Sequence, residues 1–140
     1  MSVTATRAMI LAAGLGQRML PLTETIPKAL LPAGDRRLIE WQIARLRQAG
    51  VQDIVINLHH LGSQIKEALG DGSRHGVRIH FSEEDERLET AGGIIRAMPM
   101  LGDQPFILTN ADVWTNFDYR RLLPIARQLG PSRLAHLVLI

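Results

Sequence analysis

The chain has 140 residues, of which 46% are hydrophobic, so one domain with a packed core is expected rather than a disordered chain. Its 16 basic and 14 acidic residues give a net charge of +2, a balance that argues against nucleic acid and against a membrane surface as partners. The absence of cysteine excludes disulfides and thiolate metal sites and fits a cytoplasmic protein.

Strand and helix patterns alternate along the chain. Buried strands are predicted at residues 7–12, 54–56, 77–81, 106–108 and 134–140. Amphipathic helices are predicted at residues 38–48, 61–69, 90–98 and 119–129, with Thr90 as the candidate N-cap of the third. This alternation of apolar strands with helices indicates an α/β fold with a doubly wound, mainly parallel sheet and helices on both faces. Such sheets bind ligands beyond the carboxyl ends of their strands.

The loop at residues 13–35 follows the first strand and is long enough to indicate a function. It opens with a Gly-x-Gly turn at Gly14 and Gly16, whose backbone N–H groups can approach an anion closely. Arg18 and Lys28 add cationic donors at the same end of the first strand. Together these residues predict a cradle for a triphosphate.

Two other kinds of glycine loop fit this sequence less well. A dinucleotide-binding fingerprint needs a third glycine where Met19 stands, which disfavours an oxidoreductase that binds NAD. A P-loop needs Gly-Lys-Ser/Thr, and the sequence contains no such tripeptide. A Gly-x-Gly alone usually marks an ordinary turn, so the triphosphate hypothesis depends on the basic residues and on the Pro-Lys pair that ends at Lys28.

The stretch LAAGLGQRMLPLTETIPK at residues 11–28 resembles the signature of the sugar-1-phosphate nucleotidyltransferases. The resemblance continues at Glu84, at residues 89–93 and at residues 110–112, so it covers nearly the whole chain. It implies a Rossmann-like nucleotidyltransferase fold and the transfer of NMP from an NTP to a sugar 1-phosphate, with release of pyrophosphate.

Family members are longer, and this chain ends on an apolar strand pattern. Residues 1–140 are therefore expected to form the nucleotide-binding part of a single nucleotidyltransferase domain. The sugar-binding part is expected beyond residue 140, which leaves the fold incomplete at its C-terminus. An unpaired apolar strand there would expose a sheet edge and favour a homo-oligomer.

The resemblance also implies roles for single residues. Arg18 matches the arginine that grips the β- and γ-phosphates, and Lys28 matches the lysine that contacts the α-phosphate and the sugar phosphate. Asp112 matches the aspartate that binds Mg²⁺, although the usual family pattern Gly-Asp is Ala111-Asp112 here. The predicted catalytic residues are Arg18, Lys28 and Asp112, and Asp112 is also the predicted metal ligand. The predicted nucleotide-binding residues are Leu11, Ala13, Gly14, Gly16, Glu84, Gly92 and Asn110.

Glu84 stands where the family places a Glu or Gln that reads the base. A carboxylate only accepts hydrogen bonds, which suits the two adjacent donors of guanine better than the single donor of uracil. Glu84 taken alone therefore favours GTP, although backbone groups near Gly92 and Gly93 can also read a base. The other acidic residues of 83–89 are interpreted as a solvated loop.

Residues 88–94 and 110–115 look most like those of the N-acetylmuramate-1-phosphate uridylyltransferases of bacterial cell-wall recycling. The expected substrates are accordingly UTP and N-acetylmuramate 1-phosphate. Similar bacterial sequences are mannose-1-phosphate guanylyltransferases, so GTP is the alternative. A hypothesis of another class is a chain that binds an NTP without catalysis.

Overall fold

The structure, a computed structural model, describes residues 6–139. Its strands are β1 (Arg7–Leu11), β2 (Pro32–Ala33), β3 (Arg36–Arg37), β4 (Asp53–Leu58), β5 (Arg78–Glu83) and β6 (Phe106–Asn110). Strands β5, β4, β1 and β6 form, in that order, one parallel sheet, and β2 and β3 pair as a small antiparallel hairpin. The predicted parallel α/β fold is confirmed.

Residues 6–139 contain four α-helices: α1 (Leu38–Gln48), α2 (Gly62–Leu69), α3 (Glu89–Leu101) and α4 (Leu123–Ala126). The first three connect strands, and α4 follows β6. The predicted bounds of α1 are confirmed residue for residue, because its apolar side and the following Gly50 mark the helix clearly. The predicted loop at 13–35 contains three short 3₁₀ turns, at residues 17–19, 22–24 and 28–30. Within residues 6–139, no helix has the length and apolar character needed to cross a membrane.

Helices cover both faces of the sheet. Successive residues of a strand point to opposite faces, so Ala8 and Ile10 of β1 pack in the larger core with α1 and α2. Met9 lies between them in sequence and packs in a second core with Ala97 and Leu101 of α3. The doubly wound arrangement that the apolar strands predicted is therefore confirmed.

The prediction that Thr90 caps the third helix is wrong. Helix α3 begins at Glu89, its N-cap is Leu88, and no side chain of the cap residue closes the first turn. The backbone N–H of Leu88 instead donates to the Glu84 carboxylate at 3.3 Å, so this end of α3 is held from outside the helix. The helix also continues through Pro99 to Leu101, three residues beyond the predicted end.

The last two predicted elements also differ from the structure. The helix predicted at 119–129 is a 3₁₀ turn at Tyr119–Leu122 followed by the short α4. The strand predicted at 134–140 is wrong over 134–139, and Ile140 lies outside the described residues. Leu134 and Leu137 are 83% and 77% exposed, so no strand or helix within residues 6–139 supplies the burial that favours a strand in an apolar run.

An ion pair fixes the amino ends of β4 and β5. Arg78 donates to both oxygens of Asp53, from Nε at 2.8 Å and from Nη2 at 2.6 Å, and His80 Nε2 lies 3.2 Å from Oδ1. The hydrogen bonds from Arg78 are the main cause that lowers the pKa of Asp53 from 3.8 to about 2. The ion pair joins β4 and β5 at their amino ends, at the opposite end of the sheet from the carboxyl ends of the strands.

Replacing Asp53 with Asn is expected to lower the free energy of unfolding by about 1 kcal/mol at pH 7, a modest value because the Arg78 side chain is 66% exposed. The folded pKa lies below the unfolded one, so this stabilisation is complete above about pH 4 and disappears as the pH falls toward about 2. Urea unfolding of the wild type and of Asp53→Asn across this range measures the difference, which should shrink with acid. A difference that stays constant, or that equals the effect of Asp103→Asn on an exposed loop, contradicts this account.

Candidate active site

The carboxyl ends of the parallel strands place distant parts of the chain in one row. Leu11 of β1 pairs with Asn57 of β4 on one side and with Asn110 of β6 on the other. Beyond the strand ends, Ala111 N–H donates to the Leu11 carbonyl at 3.0 Å, and Glu84 N–H donates to the Leu58 carbonyl at 2.8 Å. The residues that follow each strand therefore meet at one edge of the sheet.

A cavity of about 490 Å³ opens at this edge. Nine of the ten predicted site residues line it: Leu11, Ala13, Gly14, Gly16, Arg18, Lys28, Glu84, Asn110 and Asp112. The tenth, Gly92, is not among the lining residues; a Cβ there would lie 2.8 Å from the Cβ of Leu88, so this position faces the start of α3. The lining also contains residues that the sequence reasoning missed, among them Asn57, Arg87, Glu89 and Thr90.

The two glycines of the loop differ in what they meet. Gly16 has a left-handed φ of 65°, and a Cβ there would lie 2.7 Å from Cγ2 of the buried Thr23, whose hydroxyl donates to the Gly16 carbonyl at 2.7 Å. At Gly14 a Cβ would meet no atom within 4 Å, and the backbone is not left-handed. The fold itself therefore requires glycine at Gly16, whereas at Gly14 the missing side chain leaves open space at the cavity.

Lys28 and Asp112 form an ion pair at this cavity. Lys28 Nζ donates to Asp112 Oδ2 at 2.5 Å, and the two side chains are 33% and 35% exposed. Pro27 has an extended backbone and Lys28 begins a 3₁₀ turn after it, while Asp112 follows the carboxyl end of β6. A partly exposed pair of this kind is held weakly enough to exchange its partners for a charged ligand.

Arg18 is the second cation at the cavity. It lies in the 3₁₀ turn Gln17–Met19, is exposed, and pairs with no acidic side chain among residues 6–139. Its planar guanidinium can donate two parallel hydrogen bonds to an oxyanion. Lys28 and Arg87 at the cavity are each paired with a carboxylate, whereas the guanidinium of Arg18 is available to an anionic ligand.

A buried polar side chain, Gln42 of α1, holds the segment that carries Asp112. Its Oε1 accepts hydrogen bonds from the hydroxyls of Tyr119 at 2.8 Å and Thr109 at 3.3 Å, and its Nε2 donates to the Val113 carbonyl. These bonds join α1, β6 and both ends of the loop after Asp112. Gln42 lies three residues after Ile39 and beside Ile43 on the buried side of α1, which is the one sequence signal that points to it.

A second buried polar cluster, formed by Asn57 and Glu84, lines the cavity. Glu84 is 6% exposed and Asn57 3% exposed. Asn57 Nδ2 donates to Glu84 Oε1 at 2.8 Å, and Asn57 Oδ1 accepts from the Ala12 N–H at 2.8 Å. Glu84 Oε2 accepts from the Leu88 N–H, as described above. The predicted base-reading carboxylate of Glu84 is therefore linked through Asn57 to Ala12, just before the glycine loop, and directly to Leu88 at the start of α3.

Metal binding at this site rests on few protein ligands. Within residues 6–139, no three His, Cys, Asp or Glu side chains lie together closely enough to hold a metal ion by themselves. Mg²⁺ is usually bound by one or two carboxylates together with water and substrate phosphates. Asp112, with the neighbouring Asn110 at the cavity, can bind Mg²⁺ in this way, with water and substrate phosphates as the other ligands.

Residues 7–138 match the family described as Nucleotidyl transferase. The match covers nearly the whole chain, and the chain belongs to this family. The family resemblance found in the glycine loop is thus confirmed.

Two curated relatives show the range of enzymes that this chain is similar to. The N-acetylmuramate alpha-1-phosphate uridylyltransferase of Neisseria meningitidis is 52% identical over 96% of this chain. The mannose-1-phosphate guanyltransferase of Aspergillus fumigatus is 37% identical over 89% of it. The alignments cover 58% and 35% of these two relatives, so the chain spans little more than half of the first and about a third of the second.

A solved structure supports the same family fold. A Bacillus anthracis protein assigned as a glucose-1-phosphate thymidylyltransferase, crystallised in complex with a sucrose, superimposes with a TM-score of 0.83. Its sequence is 25% identical, and the match covers 89% of this chain and 51% of that protein. The sheet and helices described above are therefore those of the family fold.

Replacing Gln42 with Leu, which is close in size, should lower the free energy of unfolding by about 2 kcal/mol or more, since two hydroxyls and one carbonyl lose their buried partner. The matched control is Gln48→Leu, a change at an exposed position of the same helix that should stay within about 0.5 kcal/mol. Urea unfolding monitored by circular dichroism measures both. Equal effects for the two variants would show that the Gln42 bonds do not hold this part of the fold.

Proposed function

We propose that this chain is the nucleotide-binding part of a sugar-1-phosphate nucleotidyltransferase. The observation that carries the proposal is the contact of Lys28 Nζ with Asp112 Oδ2 at 2.5 Å, at the mouth of the cavity that the glycine loop lines. This contact joins an ammonium group, which can neutralise a phosphate, and a carboxylate, which can bind the metal ion of the nucleotide. The family membership gives the reaction class, transfer of NMP from an NTP to a sugar 1-phosphate.

The reaction is a direct displacement at phosphorus. An oxygen of the sugar 1-phosphate forms a new bond to the α-phosphorus, and the bond from that phosphorus to the bridging oxygen breaks, so that pyrophosphate leaves with the bonding electrons. No enzyme nucleophile is needed, because positioning and charge neutralisation carry such a step. Arg18 and the N–H groups of the glycine loop hold the departing pyrophosphate, and Lys28 neutralises the reacting phosphate.

Mg²⁺ is the proposed metal ion, with Asp112 as its protein ligand. When bound, Mg²⁺ neutralises negative charge on the phosphate oxygens and orients them. The Lys28 ammonium would then turn from Asp112 to a phosphate oxygen, an exchange that the partial exposure of both side chains allows.

The proposed substrates are UTP and N-acetylmuramate 1-phosphate, supported by the relative of that activity at 52% identity. The second candidate is GTP with mannose 1-phosphate. The observation that favours it is the Glu84 carboxylate at the cavity, an acceptor that suits guanine, together with the guanyltransferase relative at 37% identity. The relative affinities for UTP and GTP separate the two candidates.

The part of the relatives that this chain does not align with is the proposed location of most of the sugar-binding residues. A chain that binds an NTP without turnover is therefore the candidate from another class, and the 58% coverage of the Neisseria relative favours it.

A cytoplasmic role in cell-wall recycling and a homo-oligomer stay predictions. Exposed apolar side chains on α3 and β6, at Ile95, Met98 and Leu108, support self-association, which sedimentation equilibrium measures.

Lys28→Ala and Asp112→Ala are expected to lower pyrophosphate release from UTP and N-acetylmuramate 1-phosphate by about 100-fold or more. Both should lower UTP affinity in calorimetric titrations with Mg²⁺. Lys66→Ala and Asp103→Asn remove charges outside the cavity and should leave both measurements unchanged.

The other possible outcomes of this experiment favour other functions or refute the proposal. Tighter binding of GTP than of UTP favours the guanylyltransferase. UTP binding that depends on Lys28 but releases no pyrophosphate favours the binding-only chain. A folded wild type that binds neither nucleotide refutes the proposed function.

The two loop glycines give a second test of the phosphate cradle. Gly14→Ala should change the free energy of unfolding by less than about 0.5 kcal/mol, because a Cβ there meets no protein atom. The same methyl group would occupy the space proposed for the phosphates, so UTP affinity should fall about tenfold or more. Gly16→Ala is the matched control, since it should lower the free energy of unfolding by about 1–3 kcal/mol through its left-handed φ and Thr23. Unchanged UTP affinity in Gly14→Ala would place the phosphates elsewhere.

A further inference from the structure

Asn57 links the start of the glycine loop to the Glu84 carboxylate through one buried side chain. It is the second-last residue of β4, between β1 and β5, and is 3% exposed. Its Oδ1 accepts from Ala12 N–H, the first backbone group beyond β1, and its Nδ2 donates to Glu84 Oε1, each at 2.8 Å. The glycine loop and the Glu84 carboxylate are thus linked by a single amide.

The two partners of Asn57 determine which way its amide is turned. Ala12 presents a donor and Glu84 an acceptor, so the opposite orientation would set N–H against N–H and oxygen against carboxylate. A side chain in this position must accept on one side and donate on the other. Aspartate has the same shape but only accepts, and leucine does neither.

Gly93 of α3 encloses this contact from the other side. A Cβ at Gly93 would lie 2.6 Å from Glu84 Oε1 and 2.8 Å from Asn57 Nδ2, so the helix backbone packs directly on the hydrogen bond. With Leu88 N–H on the second oxygen, the carboxylate is fixed on three sides while it still lines the cavity. Of these three neighbours, Asn57 is the one that also bonds Ala12, so Asn57 sets the position of the carboxylate relative to Ala12.

We propose that Asn57 is a positioning residue for base selection. It holds the Glu84 carboxylate at a fixed place relative to the start of the glycine loop, so that a nucleotide whose phosphates occupy the loop presents an N–H of its base to Glu84. The inference rests on the proposed function, since it requires a nucleotide in this cavity. In this proposal Asn57 acts only by positioning Glu84, and the base and the phosphates are bound by other groups.

The test compares UTP with inorganic tripolyphosphate, which has the phosphates and no base. Asn57→Asp keeps the acceptor for Ala12 N–H but sets two carboxylates against each other at the Glu84 contact. The ratio of the UTP affinity to the tripolyphosphate affinity should fall about tenfold, the effect of losing a hydrogen bond to a charged group. Any general effect of the added charge on phosphate binding cancels in this ratio. Asn116→Asp, the same change on an exposed loop residue outside the cavity, should leave the ratio unchanged.

The double variant Asn57→Asp with Glu84→Gln supplies the rescue, because it exchanges the amide and the carboxylate between the two positions. The amide introduced at position 84 would donate to the carboxylate introduced at position 57 and would accept from Leu88 N–H through its oxygen. The new carboxylate would still accept from Ala12 N–H, so every bond is restored with the wild-type net charge. The double variant should recover at least half of the logarithmic loss in the affinity ratio and the thermal stability lost in Asn57→Asp.

The outcomes separate this inference from the function on which it rests. An equal loss of UTP and tripolyphosphate affinity in Asn57→Asp, an unchanged ratio, or a double variant no better than the single one overturns the positioning role and leaves the proposed function standing. A wild-type chain that binds neither ligand overturns both.

Discussion

The parallel register of the central sheet is the constraint on which the site depends. It sets Leu11, Asn57 and Asn110 side by side, although they lie on three different strands. Just beyond these strands, the Ala12 N–H donates to Asn57 Oδ1 and the Ala111 N–H donates to the Leu11 carbonyl at the end of β1. A shift of one strand by one residue would turn these side chains to the other face and separate them.

The cavity combines a rigid frame with exchangeable charges. Gln42 and Asn57 are buried amides whose oxygen and nitrogen atoms each have a hydrogen-bond partner, and each holds a segment that contributes to the cavity. The side chains of Lys28 and Asp112 are about one-third exposed, so their contact can open at low cost. The buried network keeps the geometry constant while the exposed pair responds to an anionic ligand.

The sequence predicted those features whose cause is local. The apolar period of α1 and the Gly-x-Gly turn are readable within a few residues, and the structure brings Gly14, Arg18 and Lys28 to one cavity. Gln42 and Asn57 were missed because their partners lie 71 and 45 residues away in sequence. The strand predicted at 134–140 is wrong over 134–139 for the related reason that extended structure needs a neighbouring strand, which a local apolar pattern cannot supply.

The central claim, that the cavity at the carboxyl edge of the sheet binds a nucleoside triphosphate, is tested most directly by ¹⁵N–¹H NMR of the labelled chain titrated with UTP and Mg²⁺. The account predicts that the amide signals of Ala12, Gly14, Gly16 and Ala111 shift together and saturate, while those of Asp53 and Arg78 at the opposite edge stay in place. Saturable shifts confined to Arg36, Arg74 and His75, which line a second cavity, would contradict it, as would the absence of any shift.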